Sequence, residues 1–308
     1  MYATRRRNDG INPILAIGRS IRTPYSALKL AKAKGVATVA ALALIALAFG
    51  TMSGDATASP GWLLKCPVSH SLSDDPIVYP GRPGASHLHD FFGNRSTNAM
   101  STWTSMVADS SLCGDPRDTG GYWSPALYED GVRVNPAGVS FLGRAVREQF
   151  YYRKIGTGPV RPFPADLRMV AGAHDATAPY KLSEIYWGCS DNSTGKLGLP
   201  PQCGATGIIT LHVGFPSCWD GWKLDSADHR SHMAYAKSGA CPSTHPVAVP
   251  RLIERFEYPV GPTTGNITLA SGSPYTAHAD FWNSWDQARL EQLTADCLNK
   301  NVDCGTLS

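Results

Sequence analysis

The sequence lacks the motifs that mark the commonest enzyme classes. It contains no G-x-S-x-G nucleophile elbow, no phosphate-binding P-loop and no G-x-G-x-x-G dinucleotide fingerprint. Their absence argues against the commonest hydrolase, nucleotide-binding and Rossmann classes. None of the eight cysteines belongs to a C-x-x-C pair, which disfavours a structural zinc site. No repeat, low-complexity linker or long block of charge interrupts the chain after its N-terminal segment, so no internal domain boundary is expected there.

The N-terminal segment has the order of a secretory signal. Residues 1–34 carry eight Lys and Arg, residues 35–50 are apolar, and Ala56-Thr57-Ala58 follows as a small-x-small cleavage site. The apolar run has about 14 residues, short of the roughly 20 that span a bilayer. We therefore predict a leader at 1–58 and a single secreted, extracellular domain at 59–308 that keeps no stable membrane anchor once the leader is cleaved. An uncleaved anchor is the alternative.

Cleavage after Ala58 would change the charge of the protein. The whole chain has 28 Lys and Arg and 25 Asp and Glu, and the leader contains eight of the basic and two of the acidic residues. The remaining 20 basic and 23 acidic residues give the secreted part a formal charge near −3. Nucleic acid is therefore not an expected partner.

All eight cysteines lie in the secreted part of the chain. An even number of cysteines in an exported protein indicates four disulfides. Eight cysteines allow about 105 pairings, and nearest-neighbour closure is the simplest of them. It joins Cys66 with Cys113, Cys189 with Cys203, Cys218 with Cys241, and Cys297 with Cys304.

The fold is predicted to be mainly β. Apolar residues alternate with polar ones in 209–215, a pattern typical of a half-buried strand, and 150–153, 166–171 and 252–258 resemble it. One helix is expected near the C-terminus, with Ser284 and Gln287 as a capping box and Leu290, Leu293 and Cys297 at helical spacing. We expect a sandwich or jelly-roll-like core with long disulfide-stapled loops and a C-terminal helix.

Short clusters of His and Asp are the most informative feature of the chain. They occur at 86–90 (SHLHD), 225–232 (DSADHRSH) and 278–280 (HAD). His87 and His89 are separated by one residue and would point to the same side of an extended strand. If the clusters form one site, the rings of His87, His89, His229 and His278 should lie within about 10 Å of one another.

Five ordered motifs resemble those of a known family. They are 75–81 (DPIVYPG), 86–94 (SHLHDFFGN), 215–221 (FPSCWDG), 228–233 (DHRSHM) and 241–247 (CPSTHPV). They resemble a secreted bacterial and fungal family catalogued as the domain of unknown function numbered nineteen ninety-six, and the similarity covers about 75–304. The resemblance implies an extracellular setting, and fungal relatives can carry cell-wall-associated WSC modules. It implies no established reaction.

Two chemistries can use these residues. His87 and His89 with His229 could hold one divalent metal such as zinc, and His232, His278 or Asp280 could also complete the set. Without a metal, a His beside an Asp can act as acid or base, and a two-carboxylate glycosidase is also open. The candidate catalytic residues are His87, His89, Asp90, His229, His232, His278 and Asp280. They could instead be structural, with each histidine hydrogen-bonded to loop backbone.

The aromatic residues next to the motifs suggest a sugar ligand. Trp219, Trp222 and Trp282 could stack on pyranose rings, although Trp is also ordinary core material. Arg230 could bind an acidic sugar. The sequence therefore predicts a hydrolase or lyase that cleaves extracellular or cell-wall polysaccharide. The alternative is a non-catalytic glycan-binding or wall-associated module with structural histidines.

Overall fold

The computed structural model describes residues 59–135, 140–141, 144–145 and 148–308. The predicted leader at 1–58 lies outside these residues. Within them, no helix is both long and apolar enough to cross a membrane.

Two large β-sheets form the body of the fold. Sheet A has six strands in the order β11(Ile185–Cys189), β12(Ile208–Gly214), β16(Arg251–Pro259), β9(Gln149–Arg153), β1(Gly61–Lys65) and β19(Asp303–Thr306). Sheet B has five strands in the order β10(Arg168–Gly172), β18(His278–Trp282), β4(Gly121–Pro125), β3(His89–Gly93) and β2(Val68–Leu72). Each stretch predicted to be extended lies in one of these strands, within two residues at either end.

The main hydrophobic core lies between the two sheets. Phe150 and Phe256 of sheet A meet Phe92 of sheet B, with ring centroids 5.9 and 5.0 Å apart, and Tyr122 of sheet B lies 4.5 Å from Phe150. All four side chains are fully buried. The alternation of buried and polar residues along each strand supplies this core, because side chains alternate across a strand. The predicted sandwich is confirmed.

Sheet B is buried on its outer face as well. Phe91, Trp123, Val170 and Trp282 form a second apolar cluster there together with Ile77 from the loop after β2. Histidine and aspartate side chains on this outer face therefore lie over an apolar floor, where water has little access. This face carries the candidate site.

Smaller elements complete the fold. Three short sheets are formed by β13(Cys218–Trp219), β14(Met233–Ala234) and β15(Val247–Ala248), by β5(Leu127–Glu129), β6(Val132–Val134) and β17(Ile267–Leu269), and by β7(Ser140–Phe141) and β8(Arg144–Ala145). The helices are α1(Trp103–Val107), α2(Gln287–Leu293), the π-helical segment Thr294–Asn299 and the 3₁₀ turns Gly204–Thr206 and Pro274–Thr276.

The C-terminal helix is present, but its predicted cap is wrong. The cap is Asp286, whose carboxylate accepts a hydrogen bond from the backbone N–H of Arg289 at 2.8 Å. Ser284 is buried and donates its hydroxyl to the carbonyl of Thr119 instead. A tertiary hydrogen bond therefore removes Ser284 from the local capping role that its spacing suggested.

The four disulfides join nearest neighbours along the chain, as predicted. They are Cys66–Cys113, Cys189–Cys203, Cys218–Cys241 and Cys297–Cys304, and no cysteine in the described residues is free. Disulfides of this number are typical of proteins that fold in an oxidising compartment.

The Asp286 cap can be tested directly. Asp286→Ala should lower the free energy of unfolding by about 1 kcal/mol, because an orphan N–H of the first turn loses its acceptor. Asp296→Ala is the matched control, since its exposed pair with Lys300 contributes at most about 0.5 kcal/mol. Urea unfolding of both variants measures the difference. Equal losses would mean that the capping bond contributes nothing specific.

Candidate functional site

Backbone register brings two of the predicted histidines together. β3 and β18 both pair with β4, so that they flank it in parallel directions. On β3, His89 lies opposite Pro125 of β4. On β18, Asp280 pairs with Trp123 of β4, so His278, two residues earlier, lies level with Pro125 on the other side of β4. Gly172 of β10 lies opposite His278 and leaves room for its side chain, because a Cβ there would lie 2.9 Å from the His278 Cβ.

Three imidazole rings converge above this point of the sheet. The Nε2 atom of His278 lies 3.2 Å from Nε2 of His87 and 3.5 Å from Nε2 of His89. Ring centroids of His87 and His89 are 4.2 Å apart, so the H-x-H pair does point to one side. The separations of these three rings, at most 5.7 Å between centroids, are well inside the expected 10 Å.

The tautomers of two of these rings follow from their backbone partners. Nδ1 of His89 lies 2.9 Å from the carbonyl oxygen of Asp74, and Nδ1 of His278 lies 2.8 Å from that of Thr276. A carbonyl only accepts, so both Nδ1 atoms carry the proton and both Nε2 atoms present a lone pair. The two lone pairs therefore face each other without a proton between them.

Burial keeps the three rings neutral. It lowers the pKa of His87 to about 4 and that of His278 to about 3, and it lowers the pKa of His89 well below its usual value. A positive charge on His87 would lower the pKa of His89 and of His278 further, and a positive charge on His278 would lower that of His89. The site thus contains three neutral nitrogen donors aimed at one point.

Two carboxyl groups lie beside the histidines. Asp75, His89 and Asp280 can each place one ligand atom within 4.8 Å of the others. Asp280 is fully buried, and neither of its oxygens has a hydrogen-bond partner among the described residues. Burial, and then repulsion by Asp75, raises the pKa of Asp280 well above its usual value. Burial also raises the pKa of Asp75, against hydrogen bonds from the N–H groups of Val78 and Ile77.

An open pocket with a volume of about 90 Å³ leads to these groups. His87, His278, Asp75 and Asp280 line its inner part, and Tyr79, His174 and Arg230 contribute to its walls. Asp74 fixes the wall above His89 by accepting hydrogen bonds from the N–H groups of Gly84 and Ala99. The pocket therefore collects residues from four separate parts of the chain.

The second His cluster lies at the side of this pocket. His229 is held by Asp225, with Nδ1 2.9 Å from the carboxylate, and a positive charge on its ring would lower the pKa of Asp75. It does not belong to the group of three converging histidines, where His278 takes the place predicted for it. His232 is buried and uses both ring nitrogens, one with the Ser226 hydroxyl and one with the Arg168 carbonyl. The geometry therefore gives His232 a structural role.

Asp90 does not reach the pocket. It follows His89 on β3, so alternation along the strand directs its side chain to the opposite face of sheet B. There it accepts hydrogen bonds from Ser71 and Arg133. Asp90 is therefore not a catalytic residue of this pocket, and the group that orients His89 is the carbonyl of Asp74.

The three candidate tryptophans lie in different surroundings. Trp282 is buried and donates to Asp166, and Trp219 is half-buried and donates to the carbonyl of Lys223. Neither presents a free ring face of the kind a sugar needs, since Trp282 is also covered by the guanidinium of Arg168. Trp222 is 71% exposed and has a free ring surface.

Sequence reasoning missed three groups at the pocket. Asp75 and Tyr79 appeared only as parts of the 75–81 motif, and His174 belonged to none of the motifs. The adjacent acids Asp74 and Asp75, just before a proline, were the available signal. His212 stacks on Tyr186 at 4.2 Å on the outer face of sheet A, away from the pocket.

The fold and the site define a disulfide-linked β-sandwich with a histidine-lined pocket on one sheet. The chain belongs to the family described as "Domain of unknown function (DUF1996)", whose sequence model matches residues 75–285. The match includes every residue of the pocket and ends before the last two cysteines. Neither the curated proteins nor the solved structures include a significant match to the chain.

Proposed function

We propose that the pocket holds one divalent metal ion, such as zinc, on His87, His89 and His278, and that this centre cleaves extracellular or cell-wall polysaccharide. The observation that carries the proposal is the pair of inward lone pairs on His89 and His278. Two neutral nitrogens that face each other at 3.5 Å repel unless a cation or a hydrogen-bond donor lies between them, and a divalent ion bound to both and to Nε2 of His87 would satisfy all three nitrogens. Each ring donates its Nδ1 proton to a backbone carbonyl, so neither ring has a proton to place between the two Nε2 atoms.

The distances suit such an ion. Imidazole nitrogens bound tetrahedrally at about 2.0–2.1 Å from zinc are separated from each other by roughly 3.3 Å. The two Nε2 separations of 3.2 and 3.5 Å bracket that value. The carbonyls that orient His89 and His278 are the outer partners that metal-bound histidines usually have. Three protein ligands leave one position for water, and the ion supplies activation of that water.

The carboxyl groups supply proton transfer in this proposal. Asp280 has no partner for either oxygen among the described residues, so it is available to take a proton at the site. A nearby positive ion would favour its ionised form and oppose the effect of burial. Asp75 is fixed by two backbone N–H groups and contributes negative charge beside Asp280.

The choice of a glycan substrate has three supports. The four disulfides fit an extracellular protein, and a protein in that setting is exposed to glycans. The family resemblance includes relatives with cell-wall-associated modules. The pocket is also open to solvent and small, so a long polymer could lie across its mouth while one substituent enters.

Metal analysis and a cleavage assay on the purified secreted protein test the proposal together. We expect about one equivalent of zinc or a similar ion after dialysis against the metal, since three histidines form one site. Chelation should remove the ion and the release of oligosaccharides from a panel of neutral and acidic glycans, and the added ion should restore both. Activity that persists after the ion is removed would contradict metal-assisted cleavage.

A non-catalytic glycan-binding module is the second candidate, and the exposed ring of Trp222 favours it. Its indole is covered on one side by the ammonium group of Lys223 at 4.4 Å, and the remaining surface is free. Exposed aromatic rings of this kind provide apolar contact area with a polar edge. Binding of wall polysaccharide without release of any oligosaccharide from the panel would select this function over cleavage.

A further inference from the structure

The wall of the pocket carries a cationic side chain without a counter-ion. Arg230 lines the pocket and is exposed, and no carboxylate of the described residues forms an ion pair with its guanidinium. Its effect on the buried Asp280 is electrostatic only, without a hydrogen bond. The five N–H donors of this guanidinium are therefore free to face whatever enters.

A rigid turn fixes the position of Arg230. The carboxylate of Asp228 accepts hydrogen bonds from the N–H groups of Arg230 at 3.2 Å and Ser231 at 2.9 Å. The carbonyl of Arg230 accepts from Met233 at 2.9 Å, and the adjacent His232 anchors the segment to strand β10 through Arg168. These bonds fix the backbone of Arg230 at the pocket wall, so binding has to order only its side chain.

The pocket is small and open on one side. Its volume of about 90 Å³ leaves room for several water molecules, so a substituent of a bound glycan can enter from the mouth. The planar guanidinium pairs with a carboxylate through two parallel hydrogen bonds. An ion on the three neutral histidines would add positive charge on the opposite side. The two positive charges of the ion and the one of Arg230 exceed the negative charges of Asp75 and Asp280, so a substituent held between the ion and the guanidinium would be anionic.

From this geometry we infer that the glycan bound at the site is a uronic-acid polymer, and that Arg230 binds the sugar carboxylate at the pocket mouth. The inference rests on the proposed function for the presence of a glycan and a metal ion. It adds the substrate class and gives Arg230 the part of a specificity-determining residue. Phosphorylated and sulfated glycans, whose oxyanions are tetrahedral, are the competing ligands.

The test compares one polymer in two charge states. Oligogalacturonate and its carboxyl-reduced, neutral counterpart share one backbone, and calorimetry measures their binding to the zinc-loaded protein. We expect the wild type to prefer the uronate by about fivefold, because a charge-assisted pair with an exposed guanidinium contributes up to about that factor. Arg230→Gln should remove the preference and leave binding of the neutral oligosaccharide unchanged. Arg95→Gln, which changes an exposed arginine outside the pocket, is the matched control.

Each outcome decides the inference separately from the proposed function. Equal binding of the two oligosaccharides, binding of neither, a stronger response to a phosphorylated or sulfated glycan, or equal weakening by Arg95→Gln would overturn the uronate assignment. Uronate selectivity that depends on Arg230 but comes with no cleavage would uphold the inference and reject the cleavage proposal. Cleavage of the uronate and of its neutral counterpart at equal rates, unchanged in Arg230→Gln, would uphold the cleavage proposal and reject the inference.

Discussion

His278→Ala is expected to abolish metal binding and to lower glycan cleavage by on the order of a thousandfold, since it removes one of three ligands and the activation they support. His278 is also the nitrogen donor common to both short contacts of the group, at 3.2 Å to His87 and 3.5 Å to His89. Metal content by mass spectrometry and initial cleavage rates measure the two effects on the same sample. Circular dichroism and thermal unfolding check that the variant is folded.

His212→Ala is the matched control for this prediction. His212 is also held neutral by burial, which lowers its pKa to about 3, but it lies on the outer face of sheet A against Tyr186. We expect it to retain metal and activity and to change stability alone. Retention of a full equivalent of metal by His278→Ala would refute the three-histidine centre. An equal loss of metal in both variants would show that the effect arises from general destabilisation.

Removal of the Cys66–Cys113 disulfide is expected to cause the largest loss of stability. The bridge closes a loop of 47 residues, for which chain entropy gives about 4 kcal/mol. That loop includes β2, β3 and the segment that carries Asp75, His87 and His89. Cys66→Ala/Cys113→Ala should therefore lower the free energy of unfolding by about that amount, measured by urea unfolding. The melting temperature should fall with it.

The Cys297–Cys304 bridge supplies the comparison within the same chain. It closes only 7 residues, so its removal by Cys297→Ala/Cys304→Ala should cost roughly 2 kcal/mol. It also lies outside the part of the chain that forms the pocket. The free energy of unfolding should therefore fall more when Cys66–Cys113 is removed than when Cys297–Cys304 is removed. A larger loss from the shorter loop would mean that local packing, and not loop closure, sets the contribution of these bridges.

The main parts of the fold could be predicted from local sequence. The alternation in 209–215 predicts a strand, and β12 is observed there because one face of sheet A must cover the core. The four pairings follow from closing the shortest loops. H-x-H spacing alone places the rings of His87 and His89 on one side. These features depend on period-two geometry and chain proximity, which a sequence displays directly.

The choice of the third histidine was decided by the tertiary structure. His278 and His229 have similar sequence signals, each within two residues of an aspartate. Only the register of β18 and β3 on either side of β4 brings His278 to His89. The Asp74 carbonyl that orients His89 has no side-chain signal at all.

The chain by itself determined the strands, the disulfides and the pairing of His87 with His89. Tertiary structure alone decided which distant groups share the pocket. It brought Arg133 to Asp90 and Thr119 to Ser284. The physical reason is that long-range register and packing depend on the sum of many weak contacts across the sandwich, while strand period and loop closure depend on neighbours along the chain.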